Sequence, residues 1–181
     1  VTALTVDHGI RPESKYEALK VAQWMKDLNI AHEILVVEEK NIPKSNIMAK
    51  ARDERYKLLI NWCKKNSINC LFVAHHLEDN VENFLIRLER GSGVKGLSAM
   101  SRVTVRDGIK IIRPLLDFTK SQLQEFLVNR KQEWIEDPTN YNDKYTRTKF
   151  RKFLVDNKAL MRRINEVSIN LKHANEVIEI C

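Results

Sequence analysis

The chain has 181 residues, with 31 Lys and Arg against 24 Asp and Glu, and a net charge of +7. With 43% hydrophobic and 30% charged residues it has the composition of a globular protein, which excludes disorder throughout and a collagen-like repeat. The longest apolar runs, such as Ile34 to Val37 and Leu71 to Ala74, fall far short of the roughly 20 residues a membrane-spanning helix needs.

Val1 to Val6 reads as a buried strand, ended by Asp7-His8-Gly9. Glu13 to Leu28 follows as a helix, with Ala18, Val21, Ala22 and Met25 at helical spacing. Ile34 to Val37 is a second strand. Ser45 to Lys65 is a long helix with Ala51, Leu58, Leu59 and Trp62 inward and Arg52 and Arg55 on adjacent turns. Cys70 to Ala74 is a third strand, and Asp79 to Arg90 a helix with an apolar stripe of Val81, Phe84, Leu85 and Leu88. Val103 to Arg106, Asp107-Gly108 and Ile109 to Ile112 form a hairpin signal. Thr119 is a good N-cap for a helix to about Arg130. Asp137 to Asn140 is a turn, and two basic helices follow, near Arg147–Leu154 and Leu160–Ile178. The last carries Ile164, Val167, Leu171, Ala174 and Ile178 on one face.

Strand alternating with helix, three times over, predicts an α/β fold: an open parallel sheet with helices on both faces, followed by a small helical extension. Ligands of such sheets bind beyond the carboxyl ends of the strands. Attention therefore falls on Asp7, His8 and Arg11 after the first strand, and on His75, His76, Glu78 and Asp79 after the third. Asp79 and Glu82 are three apart and share a helix face, expected to point away from the apolar stripe. Paired carboxylates there can hold an ammonium group or a metal, or deprotonate an attacking amine. The plainer reading is an acidic first turn favoured by the helix dipole. Arg52 and Arg55 suit phosphate through their donor forks, or else pair with Asp53 and Glu54.

Gly91-Ser92-Gly93-Val94-Lys95-Gly96 matches G-x-G-x-x-G in letters only, because it follows a helix rather than a strand. It is read as a helix C-terminus and loop. Cys63, Cys70 and Cys181 fit neither a disulfide scaffold nor a Cys-x-x-Cys site, and a reducing cytoplasm is the expected setting. Between Lys144 and Lys172 stand nine basic residues, Lys144, Arg147, Lys149, Arg151, Lys152, Lys158, Arg162, Arg163 and Lys172, opposed only by Asp156 and Glu166. That block is the electrostatic footprint of contact with a polyphosphate, or a solvated helix face.

Taken in order, these motifs resemble the tRNA(Ile)-lysidine synthetases of the PP-loop (N-type ATP pyrophosphatase) superfamily. Val6 to Arg11 resembles the family's V-D-H-G-L-R, and Ala51 to Tyr56 its A-R-x-x-R-Y. His75 to Asn83 resembles H-H-x-D-D-x-x-E-T, with Glu78 at the first Asp and Asn83 at the Thr. Arg90 to Gly93 with Gly96, Leu97 and Met100, then Arg113 to Leu116 and Trp134 to Asn140, match R-G-(S/T)-G…G-L…M, R-P-L-L and W-x-x-D-P-(S/T)-N. Tyr145 to Arg151 resembles Y-x-R-N-x-x-R, with Thr148 in place of Asn.

The resemblance implies that ATP, with Mg²⁺, adenylates C2 of the wobble cytidine in an isoleucine tRNA bearing a CAU anticodon, and that free lysine displaces AMP. It makes Asp79, Glu82 and Arg147 catalytic. It puts Asp7, His8, Arg11, Arg52, Arg55 and His75 at the nucleotide, and Arg113, Lys144, Lys149, Arg151, Lys152, Arg162 and Arg163 at the tRNA. It implies a partial PP-loop domain over 1–116, a helical tRNA-facing part over 117–155 and a basic linker helix over 156–181. A homodimer is compatible with it, and a membrane association is not expected. The family's S-G-G-x-D-S phosphate loop does not occur in the chain, nor does its C-terminal tRNA-binding domain. Since Val1 already lies in a strand, the expectation is an N-terminally truncated piece whose sheet lacks its first strand and which alone does not catalyse. The alternatives are a remnant that only binds RNA, or another PP-loop enzyme such as a tRNA thiolase, whose paired Cys-x-x-Cys motifs are absent.

Overall fold

The computed structural model describes residues 1–38, 47–136, 150, 153–154 and 157–180. In chain order the described elements are β1 (Thr2–Asp7), α1 (Ser14–Asp27), β2 (Ala31–Val36), α2 (Ile47–Lys65), β3 (Cys70–Phe72), α3 (Leu77–Glu89), α4 (Val94–Leu97), β4 (Val103–Arg106), β5 (Ile109–Ile112), α5 (Lys120–Asn129) and α6 (Lys158–Ile180). The α/β class read from the sequence holds. The turn at 137–140 and most of the helix expected near 147–154 lie outside the described residues.

The strands form two sheets rather than one. β1 and β2 pair in parallel from Thr2↔Ala31 to Asp7↔Val36, and Val37 N–H extends the ladder to Asp7 O. The second sheet has the order β3-β5-β4. Its β3–β5 bonds, Lys110 N–H to Asn69 O and Val73 N–H to Ile112 O, advance in the same sense along both strands, as in a parallel pair. β4 and β5 are joined through Asp107 (φ 51°) and Gly108 (φ 83°), the two positive values a type I′ hairpin turn requires. This hairpin makes the second sheet mixed rather than purely parallel.

The chain divides into two compact units, Val1–Leu71 with Val105–Lys110, and Phe72–Thr104 with Ile111–Cys181. This division follows spatial contacts and cuts across the motif-based segments 1–116, 117–155 and 156–181. In the first unit, α1 and α2 pack on the β1–β2 sheet. The inward stripe of α2 is Tyr56, Leu59, Ile60 and Cys63, at i, i+3, i+4, i+7, with Ala51 a turn earlier. Trp62, expected inward, is half-buried, and its indole N–H donates to Glu33 Oε2 at 2.7 Å.

In the second unit, α6 packs on α3 and α4. Leu77, Val81, Leu154 and Met161 form its buried cluster, flanked by Leu85 and Ile164. The apolar stripe of α3 therefore starts one turn earlier than the sequence indicates, and Leu88 is half exposed. On α6 the inward positions are Met161, Ile164, Ser168 and Leu171, and Val167 and Ile178 face out. Asn80 sits at the centre of this packing. Its amide donates to Asn165 Oδ1 at 2.7 Å and Ser168 Oγ at 3.3 Å, and its oxygen accepts Met100 N–H at 2.8 Å. A polar residue takes an inward place because three polar groups from elsewhere in the unit meet it there.

Four helices end in the same way. After α3, Gly91 (φ 70°) donates to Leu88 O and Ser92 to Arg87 O, a Schellman closure. This confirms the reading of the glycine-rich run as a helix terminus. Asn29, Ser67 and Lys131 take the same left-handed place after α1, α2 and α5, with the same bond pairs.

Candidate active site at two strand ends

The candidate residues gather at the ends of β1 and β3, each set within its own unit. At the end of β1, Asp7 is buried, and its Oδ1 accepts Gly9 N–H at 2.9 Å and lies 2.6 Å from Ser14 Oγ. The carboxylate thereby folds the 8–13 loop into the start of α1. Arg11 pairs with Glu17 at 2.8 Å. His8 is half-buried in this corner. Burial, then the Arg55 guanidinium, hold its imidazole below the usual histidine range against the opposing pull of Asp7. Arg55 thus faces the strand end. Arg52 is instead laid over the Tyr56 ring, 5.3 Å from its centroid. Arg106 also approaches that ring at 5.2 Å and lies 3.4 Å from Asp53.

At the end of β3, His76 caps α3. Its backbone N–H donates to Asp79 Oδ2 at 3.0 Å, and its ring Nε2 lies 3.5 Å from the same oxygen. Its Nδ1 is 2.9 Å from Glu78 Oε2. Glu78 also accepts Lys120 N–H through both oxygens, at 2.9 and 3.0 Å, and so ties the start of α5 to the start of α3. Burial opposes charge on His76, but the Glu78 hydrogen bond and the carboxylates of Asp79, Glu78 and Glu82 outweigh it and raise its pKa. Burial likewise opposes charge on Glu78, and the bonds from His76 and the backbone amides outweigh it and lower its pKa. Three carboxylates therefore surround one imidazole, a setting that stabilises positive charge.

Two expectations change here. Glu82 is not on a solvated face: it is 1% exposed. The helix stripe did not show this, because α3 also buries Asn80 and Val81 beside it. Acidic first-turn capping and a charged site are not alternatives either, since Asp79 caps the helix and faces His76 at once. The family resemblance assigns no role to His76 and Glu78, although their adjacency to Asp79 in a strand-to-helix turn is the available signal. His75 is half-buried, with Nδ1 shielded from solvent.

Arg162 and Arg163 are exposed on α6. Arg113 is not a surface residue: it is 8% exposed, and its Nη1 donates to Ser101 O at 2.8 Å and Thr104 Oγ1 at 3.0 Å. Arg147, Lys144, Lys149, Arg151 and Lys152 lie outside the described residues. Among the described residues no three His, Cys, Asp or Glu side chains form a metal-holding group. Mg²⁺ usually keeps waters and binds through one or two carboxylates and substrate phosphates, so its use does not require such a cage. No described helix is long and apolar enough to cross a membrane.

Parallel strands joined by helices, with polar residues gathered at their carboxyl ends, define an open α/β class of protein whose ligands bind at those ends. The PP-loop domain model matches residues 1–158, and the chain belongs to that family. It is 44% identical to the tRNA(Ile)-lysidine synthase of Wolbachia pipientis wMel over 97% of its own length and 42% of that protein's. Against the tRNA(Ile)-lysidine synthase of Zymomonas mobilis it is 38% identical, covering 99% of this chain and 56% of the relative. The chain thus spans about half the length of these relatives. Among solved structures it superimposes on the U34-tRNA thiolase NcsA from Methanococcus maripaludis with its [4Fe-4S] cluster, at TM-score 0.77 and 15% identity, over 96% of this chain and 61% of that one. That likeness supports the fold.

Proposed function

We propose that this chain is the PP-loop part of a tRNA(Ile)-lysidine synthase, joining lysine to C2 of the wobble cytidine in isoleucine tRNA with a CAU anticodon. The observation that carries the reading is the corner of Asp79, Glu78 and Glu82 around His76, in a chain 36–44% identical to lysidine synthases. Lysine arrives as an ammonium ion and attacks as an amine. Asp79 and Glu82 would bind its charge, and a carboxylate of the pair would take the proton as the C–N bond forms. His76 would sit as the internal counter-charge to the carboxylates until lysine enters.

ATP supplies the activation of the cytidine oxygen. His8 and Arg55 fit its anionic groups: the guanidinium offers a bidentate fork, and the imidazole, its pKa lowered, offers a ring nitrogen as donor. Asp7 and Arg11 would shape that pocket through the loop they hold, with Arg52 beside it, and the family resemblance also assigns His75 to the nucleotide. The tRNA would meet Arg162 and Arg163, together with Lys144, Arg147, Lys149, Arg151 and Lys152, through salt-sensitive phosphate contacts. Arg147 would stand nearest the reacting base. The setting would be the cytoplasm.

The test is to incubate the complete gene product with isoleucine tRNA, ATP, Mg²⁺ and labelled lysine, with the 181-residue chain alongside. Label in the tRNA from the complete product, lost in Asp79→Asn, supports the reading. No label with intact tRNA, or label undiminished in Asp79→Asn, overturns it.

A further inference from the structure

The second unit contains a cavity of about 370 Å³, formed by the 98–101 segment, α6 and the residues after β5. Six charged side chains line it: Arg87, Lys95, Arg113, Lys172, Glu176 and Glu179. The two glutamates are matched to the two lysines, Glu179 to Lys95 at 2.9 Å and Glu176 to Lys172 at 3.6 Å. The two guanidiniums have no carboxylate among the described residues. Arg87 donates Nη1 to Gly96 O at 2.7 Å. Arg113 has only Ser101 O and Thr104 Oγ1 on Nη1, and its Nε is buried without a hydrogen-bond partner. Arginine cannot shed its charge, and a buried charge facing only neutral dipoles is costly. Arg113 therefore stands 8% exposed, without a counter-ion among the described residues, at the wall of a cavity that Arg87 shares.

We infer that this cavity is an anion site for one tetrahedral phosphoryl group, held between Arg113 and Arg87. Guanidinium forks match the spacing of phosphate oxygens, and the group would supply the negative charge the described residues withhold. The lysine–glutamate pairs balance each other at the rim, so the positive charge offered to an anion is that of the two guanidiniums. The site is separate from the strand-end carboxylates and does not depend on the lysidine reading. Two sources share this chemistry, a free phosphate and a backbone phosphate of RNA.

The experiment is calorimetric titration of the 181-residue chain with sodium phosphate, ionic strength held constant with chloride. The expected result is saturable binding, weakened about tenfold in Arg87→Gln, the effect of one lost charge-assisted bond. Arg113→Gln should abolish it. Arg90→Gln, exposed and outside the cavity, should bind as the parent does. A short single-stranded RNA that displaces phosphate identifies a backbone phosphate as the occupant, and one that does not identifies a free anion. Should Arg113→Gln fail to fold, Arg87→Gln still decides. Absence of saturable heat in the parent, or unchanged binding in Arg87→Gln, overturns the proposal.

Discussion

His8 and His76 stand at matching places, just beyond β1 and β3, yet their surroundings drive them apart. His8 is held below the usual histidine range by burial and by the Arg55 guanidinium, against the pull of Asp7. His76 is driven toward its charged form by Glu78, Asp79 and Glu82 in spite of burial. The fold offers the same kind of position twice, and the neighbouring helix decides its chemistry: α2 brings an arginine to one strand end, and α3 brings carboxylates to the other. A corner that repels protons suits phosphate, and a corner that attracts them suits an ammonium ion.

The largest effect should come from separating the two corners by substrate. In the complete gene product, Asp79→Asn or Glu82→Gln should lower lysine transfer by at least about 100-fold, the range for a lost general base. Arg55→Ala should act chiefly through a raised KM for ATP. Steady-state kinetics with lysine and ATP varied in turn would show it. If Arg55→Ala changed the lysine dependence and Asp79→Asn the ATP dependence, the division of labour would be wrong.

Next comes the scaffold that holds α3. Asn80 is 4% exposed and serves three polar partners at once. Asn80→Ala strands Met100 N–H and removes two bonds, a loss of roughly 2–3 kcal/mol. For a chain of this size that is a fall in melting temperature of roughly 5–10 °C. A thermal scan of the 181-residue chain measures it. A change under one degree would mean that the bonds around Asn80 contribute little.

Much of this was legible in the sequence where local rules suffice. The β4–β5 hairpin is found at its expected residues, because alternation and Asp107-Gly108 fix turn and register together. The helix ends near Leu28, Lys65 and Arg130 were legible to within a residue, but the left-handed closure was legible only at Gly91. Asn29, Ser67 and Lys131 adopt the same left-handed closure without a glycine to announce it. Burial of Glu82 was not legible, since a stripe on α3 reports one buried face and says nothing of what covers the opposite one. The resemblance puts Arg113 at the tRNA, and only the packed unit shows that it is buried. The role of Glu78 depends on Lys120, 42 residues away, a contact no local pattern contains.

The opposed histidines also make a pH prediction with opposite signs. The raised folded pKa of His76 stabilises the protein fully below the unfolded value near 6.5, and that stabilisation fades as pH rises through the folded value. The lowered folded pKa of His8 destabilises as pH falls below 6.5 toward its folded value. A pH series of unfolding measurements would show them partly cancelling below pH 6.5. Proton NMR titration of each imidazole separates them: His76 should titrate above 6.5 and His8 below. Glu78→Gln should bring His76 down and leave His8 where it was. Two coincident titrations near 6.5 would remove the contrast.

The smallest effect tests whether Glu78 acts on His76 directly or by fixing α5. Thr119 Oγ1 accepts Gln122 N–H at 3.2 Å, and Gln122 Oε1 accepts Thr119 N–H at 2.9 Å, a reciprocal cap on α5. Thr119→Ala removes one side of it. Since Glu78 still holds Lys120 N–H, the loss should sit at the lower end of the capping range, about 0.5–1 kcal/mol. The His76 titration should not move. Glu78→Gln keeps an acceptor for Lys120 N–H but removes the charge, so it should shift His76 with little change in stability near neutral pH. If Thr119→Ala lowered the His76 pKa as much as Glu78→Gln does, the charge of Glu78 would matter less than the placement of α5. The contrast between the two strand ends would then come from helix position rather than from the carboxylates themselves.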